Sequence, residues 1–116
     1  MDQILIIDDH EHIRKTMGYF LETLGYKVKT ACNGKQGIDY FNEIKNFKVV
    51  ITDIQMPIMN GNEVAKQIRE SERPNIPIIA ITGCTDAYDI DNGLFDFILH
   101  KPFSMSSLSN LIKTHF

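Results

Sequence analysis

Apolar runs alternate along the chain with segments in which apolar residues recur at helical spacing. Five runs have the length and composition of strands: ILIID, YKVKTA, VVITD, IPIIAIT and FDFILHKPF. Elsewhere apolar side chains recur every three or four positions, which is typical of one face of an α-helix. The helical spacing covers His10 to Leu24 and Lys35 to Asn46, and it returns after Gly61 and after Ser104. The pattern therefore predicts strands and helices in alternation.

Local signals mark the ends of the predicted helices. Gly25 is placed to end the first helix, and Ser104 is a good N-cap for the last one. Pro57 and Gly61 interrupt the chain after the third strand, and the helix that follows must end before Pro74. The segment between the fourth and fifth strands lacks a clear apolar stripe. The fourth helix, expected there, is therefore predicted to be short or irregular.

Strands that alternate with helices predict a parallel sheet, because parallel neighbours need a crossover connection, which is usually a helix. The fold class expected is α/β, with a three-layer, doubly wound, five-stranded parallel sheet. The chain of 116 residues shows no internal repeat and no linker. A chain of this length suits one domain with a core of its own, so we expect a single domain over residues 1–116.

The composition argues against several classes of protein. A hydrophobic fraction of 43% and a charged fraction of 23% are typical of soluble globular proteins. No apolar run approaches the ~20 residues that would span a bilayer, and the start MDQILIIDD turns acidic too soon for a signal peptide, so a cytoplasmic location is expected. The net charge of -3, with scattered lysines, argues against direct nucleic-acid binding. Cys32 and Cys84 form no CxxC pair, so neither a zinc site nor a disulfide is indicated.

Polar side chains stand where four of the predicted strands end. The first strand is followed by Asp8 and Asp9, the third ends in Asp53, the fourth ends in Thr82 and the fifth leads to Lys101. In an open parallel sheet, ligands bind in the crevice outside the carboxyl ends of the strands. We therefore expect three carboxylates, a hydroxyl and an ammonium group to converge on one edge of the sheet.

Three carboxylates at one edge need a counter-charge. Two of them about 4 Å apart repel each other by about 4 kcal/mol at an effective dielectric constant near 20. A Mg²⁺ ion would relieve this repulsion, and its free coordination positions could take phosphate oxygens. Asp53 could then act as a nucleophile that forms an aspartyl phosphate. Asp8 and Asp9 alone are explained more simply as helix caps, but together with Asp53 and Lys101 they favour the metal site.

Two other groups of candidate metal ligands are less convincing. His10 and His12 flank Glu11 at the start of a helix, but they do not form the HExxH pattern of zinc proteases, and we expect both to be solvated. The acidic residues from Asp86 to Asp91 do not fit a calcium-binding loop, because neither the required Gly nor the required Glu stands at its place. The strand-end cluster is the only metal site that the sequence favours.

The motifs at the strand ends resemble those of response-regulator receiver domains of two-component signalling. The sequence has DD after the first strand, DIQMPIMNG around the end of the third, a Thr at the end of the fourth and KPF after the fifth, in that family's order. The resemblance covers Ile4 to Phe116. It implies a flavodoxin-like sheet with strand order 2-1-3-4-5. It also implies that residues 1–116 form a single receiver domain.

The same resemblance implies a role for each motif residue near the acidic cluster. Asp53 would be the phosphoacceptor and would also contact the metal. Asp9 would bind Mg²⁺ directly and Asp8 largely through water. The backbone carbonyl of Gln55, two residues past the acceptor, would complete the protein's share of the ligands. Mg²⁺ is the one cofactor that the resemblance implies.

Residues of the last two strands would serve the phosphoryl group. Lys101 and Thr82 would contact it, and the peptide bond from Lys101 to Pro102 would be cis, which proline makes accessible. The family usually has an aromatic residue three positions before the Lys, but Ile98 stands there and Phe97 precedes it. Phe97 could take this position only through a one-residue bulge, because successive side chains of a strand face opposite sides. The choice between the two residues is left open.

The resemblance implies a phosphorylation-dependent switch. A histidine kinase or histidine phosphotransfer protein would donate a phosphoryl group to Asp53, and the chain would catalyse only its own phosphorylation and autodephosphorylation. The signal would leave by contact with an unknown protein target, by onward transfer or through a further domain. One alternative is a Mg²⁺-dependent phosphohydrolase with an aspartyl-phosphate intermediate, which is disfavoured because no second Asp lies two residues after Asp53. The other is an interaction module that does not need phosphorylation.

Overall fold

The computed structural model describes residues 2–83, 90–91 and 93–116. Within these residues the elements are β1 (Gln3–Ile7), α1 (Glu11–Thr23), β2 (Lys27–Ala31), α2 (Gly34–Glu43), β3 (Phe47–Asp53), α3 (Gly61–Arg69), β4 (Ile78–Thr82), β5 (Phe97–His100) and α4 (Met105–His115). The prediction of a short or irregular helix between β4 and β5 lies outside the described residues. None of the helices that the structure describes is long and apolar enough to cross a membrane.

The five strands form one parallel sheet in the order β2-β1-β3-β4-β5. The predicted α/β fold with flavodoxin-like order 2-1-3-4-5 is therefore confirmed. Near the carboxyl edge, Ile7 of β1 pairs with Ala31 of β2 on one side and with Thr52 of β3 on the other. Thr82 of β4 pairs with His100 of β5. This register brings the ends of the five strands to one edge of the sheet.

The sheet has two apolar faces, each covered by two of the helices that the structure describes. On one face, Ile4 and Ile6 of β1 pack in a cluster with α1 and α4. On the other face, Leu5 and Ile7 pack in a cluster with α2 and α3. Side chains of a strand alternate between the faces, so a strand buried on both sides is apolar at every position. This explains why β1 has a continuous apolar run before the chain turns acidic.

Helix α1 ends at Thr23, and Gly25 just beyond it terminates the helix, as the sequence predicts. Gly25 has a positive φ of 95°, which costs a glycine little. Its backbone N–H donates to the carbonyl of Glu22, and the N–H of Tyr26 donates to the carbonyl of Leu21. These two bonds form a Schellman motif, which satisfies carbonyls at the end of the helix. Ser104 is confirmed as the N-cap of α4, where its hydroxyl accepts from the N–H of Ser107 at 3.0 Å.

Helix α2 is shorter than predicted. The periodic apolar residues suggest a helix as far as Asn46, but α2 ends at Glu43 and Ile44 has an extended backbone with φ -101° and ψ 123°. Asn46 already accepts a hydrogen bond from the N–H of Gln3, beside the start of β1. Ile44 still packs against the core cluster of this face. An apolar residue at helical spacing therefore belongs to the connection into β3.

Candidate functional site

The carboxyl edge of the sheet positions two buried carboxylates. Asp8 directly follows β1, where its backbone N–H still donates to the carbonyl of Ala31 at 3.1 Å. Asp53 is the last residue of β3. Asp8 is 0% exposed and Asp53 is 3% exposed, so both acidic groups lie below the protein surface. The sheet thus holds two carboxyl groups out of contact with solvent, where buried polar atoms need partners.

A tight turn after β1 brings more ionisable groups to this pocket. The backbone N–H of His10 donates to Asp8 Oδ1 at 2.8 Å, and the Arg14 side chain donates to the Asp8 carbonyl at 2.9 Å. The turn places His10 Nδ1 at 3.3 Å from Asp8 Oδ1 and at 3.3 Å from Asp9 Oδ1. Asp53 Oδ2 lies 3.8 Å from the same nitrogen. Sequence positions 8 to 10 and 53 therefore meet in one cluster.

The two oxygens of Asp53 have different neighbours. Oδ1 accepts a hydrogen bond from the backbone N–H of Ile54 at 2.8 Å, and Oδ2 accepts one from Lys101 Nζ at 3.2 Å. Burial raises the pKa of the Asp53 carboxyl, and the nearby Asp8 carboxylate raises it further. Lys101 acts in the opposite direction. The net upward direction of the pKa shows that the lysine does not fully offset burial and the neighbouring acid.

Lys101 is held in place by the backbone around it. Its N–H donates to the carbonyl of Thr82 at 2.7 Å, and its peptide bond to Pro102 is cis, as predicted. Thr82 itself is fully buried at the end of β4. Gly83 follows, and a Cβ atom there would lie 3.8 Å from the Lys101 side chain, in ordinary van der Waals contact. The lysine and threonine thus share one corner of the pocket.

The loop after Asp53 passes very close to the end of β3. A Cβ atom at Gly61 would lie only 2.3 Å from the backbone oxygen of Asp53, so any side chain there would displace the loop. Asn60 caps α3 in a capping box with Glu63. Gln55 has an exposed side chain within this loop. The assignment of its backbone carbonyl as a metal ligand stays a prediction.

The pairing of β4 with β5 shows whether a bulge lets Phe97 replace Ile98 at the position that is usually aromatic. Ala80 pairs with Ile98 in an uninterrupted register through β5. Ile98 packs against the cluster on the α2 and α3 face, whereas Phe97 packs on the opposite face. The ring of Phe97 lies 4.5 Å from that of His115. Ile98 therefore takes the position that is usually aromatic in the family.

Sequence reasoning missed the part that His10 has in the cluster. His12 is exposed, in line with the prediction of a solvated histidine. The side chain of His10 is 59% exposed, yet its Nδ1 atom faces the carboxylates. The signal that could have revealed it is its place immediately after the two aspartates, within the turn that they form.

The residues of the pocket fit a divalent cation. Asp8, Asp9, His10 and Asp53 each offer a ligand atom, and these atoms lie within 4.8 Å of one another. Asp8 Oδ2 and Asp9 Oδ1 are buried, and neither has a hydrogen-bond partner in the part of the chain that the structure describes. Buried carboxylate oxygens left this way are costly unless a cation satisfies them. The donor set is rich in oxygen, which suits a hard cation such as Mg²⁺.

Comparisons with known proteins identify the family. The family model described as the response regulator receiver domain matches residues 4–113. The chain therefore belongs to the response-regulator receiver domains of two-component signalling. Domains of this family are phosphorylation-based signalling switches rather than conventional enzymes.

Particular relatives agree with this assignment. The chain is 36% identical to a probable transcriptional regulator, ycf27, of Cyanidium caldarium over 96% of its own length and 45% of the relative. It is 32% identical to the autoinducer 1 sensor kinase/phosphatase LuxN of Vibrio campbellii over 94% of its length and 13% of the relative. The structure of the response regulator TrrA of Thermotoga maritima superposes with a TM-score of 0.88 at 32% identity, covering 98% of each chain. The chain thus spans less than half of the length of these two curated relatives.

Proposed function

We propose that the chain is a phosphorylation-dependent signalling switch that accepts a phosphoryl group on Asp53 with the help of Mg²⁺. The observation that carries the proposal is the position of Asp53. One of its oxygens is anchored by a backbone N–H, and the other faces the Lys101 ammonium at 3.2 Å. The TrrA structure was solved in complex with Mg²⁺ and BeF, which supports the choice of metal.

The transfer would exchange a P–N bond for a P–O bond. A carboxylate oxygen of Asp53 attacks the phosphorus atom of a phosphohistidine, the bond from phosphorus to the imidazole nitrogen breaks, and that nitrogen leaves with the bonding electron pair. Lys101 would neutralise a phosphoryl oxygen, because its ammonium already contacts Asp53. Bound Mg²⁺ would supply further neutralisation of the phosphoryl charge, held by Asp8, Asp9, Asp53 and the carbonyl of Gln55.

The product would carry the signal through local charge. An aspartyl phosphate has a charge of about -2, which would draw the Lys101 ammonium and the Thr82 hydroxyl towards it. Thr82 lies on the strand that precedes the connection to β5, so a shift there would alter the adjacent surface. Because Ile98 occupies the usual aromatic position, that response would proceed here without an aromatic rotamer switch.

The donor would be a histidine kinase or a histidine phosphotransfer protein. The receiver family implies such partners, and the similarity to part of a sensor kinase/phosphatase agrees with this. The chain would catalyse only its own phosphorylation and dephosphorylation. We further propose that residues 1–116 act as one receiver domain in the cytoplasm, with a protein as the downstream target and without direct contact with nucleic acid or membrane.

Incubation with acetyl phosphate and Mg²⁺, followed by intact-mass measurement, tests the chemistry. We expect the wild type to gain one phosphoryl group and Asp53→Asn to gain none. Asp39→Asn is the matched control, since Asp39 is an exposed aspartate on α2, and it should behave as the wild type does. Modification of Asp53→Asn to the same extent would overturn the assignment. Sustained hydrolysis of phosphate esters by the wild type would support a phosphohydrolase instead.

A further inference from the structure

The acidic pocket contains one nitrogen donor in addition to its carboxylates. His10 Nδ1 lies 3.3 Å from an oxygen of Asp8 and 3.3 Å from an oxygen of Asp9, and Asp53 Oδ2 lies 3.8 Å away. The His10 backbone is fixed to the same site by its hydrogen bond to Asp8 Oδ1. The ring is therefore positioned among the carboxylates by the turn that also positions Asp8.

Two distances from His10 Nδ1, those to Asp8 Oδ1 and Asp9 Oδ1, match the spacing of neighbouring ligand atoms around one bound metal ion. Bonds from a metal to histidine nitrogen or carboxylate oxygen measure about 2.0–2.2 Å, so adjacent ligand atoms are about 3.0 Å apart in octahedral and about 3.4 Å apart in tetrahedral geometry. Both 3.3 Å contacts of His10 Nδ1 fall in this range. The unpartnered Asp8 Oδ2 is a further sign that a cation belongs at this place.

We propose that His10 is a direct ligand of the divalent metal and that it makes the site favour ions that accept nitrogen over Mg²⁺. This rests on the metal site of the proposed function, although it concerns binding rather than phosphorylation. Mg²⁺ prefers an all-oxygen shell and keeps several waters, so an imidazole adds little to its affinity. Transition-metal ions such as Co²⁺, Ni²⁺ and Zn²⁺ bind imidazole well, so His10 would raise their affinity selectively.

Metal titrations of the metal-free protein test this selectivity. Calorimetry with Co²⁺ and with Mg²⁺ compares the wild type with His10→Ala and His10→Gln. We expect both variants to bind Co²⁺ about tenfold or more weakly, with Mg²⁺ affinity changed by less than about threefold. His12→Ala is the matched control, since His12 is exposed on α1 outside the cluster, and its affinities should equal those of the wild type.

A spectroscopic readout identifies the ligand atom. With Zn²⁺, nitrogen-15 NMR of the imidazole groups should show a coordination shift at Nδ1 of His10 that is absent in Asp9→Ala. An unshifted His10 ring, or equal losses of Co²⁺ and Mg²⁺ affinity in His10→Ala, would overturn the proposal. Phosphorylation by acetyl phosphate with Mg²⁺ is measured separately. If phosphorylation fails, the proposed function falls, but His10 can still be a metal ligand. If phosphorylation succeeds and His10 does not bind the metal, only the proposal about His10 falls.

Discussion

Two clusters of charged side chains lie at opposite ends of the sheet. At the amino ends of β4 and β5, Arg69 donates to the carbonyls of Pro74, Ile76 and Leu94 and to the carboxylate of Asp96. One guanidinium group there meets one carboxylate and three backbone oxygens.

At the carboxyl ends, the carboxylates of Asp8, Asp9 and Asp53 lie around the His10 imidazole, and the Lys101 ammonium contacts Asp53. The two buried oxygens of Asp8 and Asp9 lack a hydrogen-bond partner among the residues that the structure describes.

Charged residues are therefore arranged differently at the two edges of the sheet. In the Arg69 cluster, the guanidinium and the Asp96 carboxylate are hydrogen-bonded to each other. Asp96 Oδ2 also accepts from the backbone N–H of Ile78 at 2.8 Å. Such a complete network holds chain segments together. The acidic cluster has an excess of negative charge, which lowers the stability of the metal-free fold and favours a bound cation. The Arg69 network joins chain segments at one end of the sheet, and the acidic cluster at the other end offers ligand atoms that fit a cation.

The largest expected effect on stability comes from removing the Arg69 guanidinium. Arg69→Met should lower the free energy of unfolding by about 2–4 kcal/mol, because it leaves Asp96 and several carbonyls without their charged donor. Urea unfolding measures the change. Lys66→Met is the matched control, because Lys66 is exposed on the same helix, and it should change stability by less than about 0.5 kcal/mol. A similar loss in both variants would contradict the structural role of Arg69.

The acidic cluster should instead gain stability from a ligand. At a Mg²⁺ concentration of about 100 times the dissociation constant, the wild type should gain about 2.7 kcal/mol. Asp9→Ala should gain clearly less at the same concentration, because it lacks one proposed ligand. Thermal melts with and without Mg²⁺ measure both, and Asp39→Ala controls for nonspecific charge effects. Equal gains in wild type and Asp9→Ala would refute Asp9 as a ligand.

Removal of one charge from the acidic cluster should stabilise the metal-free protein. In metal-free buffer at about pH 7, Asp53→Asn should raise the unfolding free energy by about 0.5–2 kcal/mol, because it removes a buried like charge. An unchanged or lower melting temperature would count against a crowded cluster.

The pH dependence of this difference follows from the raised pKa of Asp53. Below its usual value of 3.8 the carboxyl group is protonated in both the folded and the unfolded protein. As the pH rises towards the higher folded pKa, the unfolded protein loses its proton first, so the wild type loses stability. The advantage of Asp53→Asn should therefore be small below pH 3.8 and grow towards neutral pH in melts with a chelator. A difference independent of pH would show that charge is not its cause.

The smallest expected effect concerns backbone strain, which also differs between the two ends. At the amino end, the turn with positive φ has Gly25, whereas at the carboxyl end Ile58 has a φ of 73°. A β-branched residue is strained in this region. Ile58 is 80% exposed, so Ile58→Asn should lose little packing and raise the unfolding free energy by about 1 kcal/mol in urea titrations. A loss of stability would indicate that Ile58 makes contacts that offset its strain.

Most of the fold could be predicted from the sequence because each strand contains its own signal. A strand that is buried on both faces can be recognised from its own apolar run. Because the strands are parallel, the polar residues that follow each run lie at the same edge of the sheet. The end of α2 could not be predicted in this way. Arg73, which lies far along the chain, donates to the carbonyls of Phe41 and Ile44, and its guanidinium lies 3.9 Å from the centre of the Phe41 ring. A distant side chain thus satisfies the end of a helix.

The sequence alone determined which acidic residues and which lysine meet, because parallel strands bring their carboxyl ends to the same edge. Only the tertiary structure decided that the His10 nitrogen faces those carboxylates and that Ile98, not Phe97, takes the position that is usually aromatic in the family. The physical reason is that local apolar runs mark the strands and crossover rules make them parallel, whereas the strand order itself was implied only by the family resemblance. The direction of a single ring or side chain depends on a turn and on strand register, which form only when distant segments pack together.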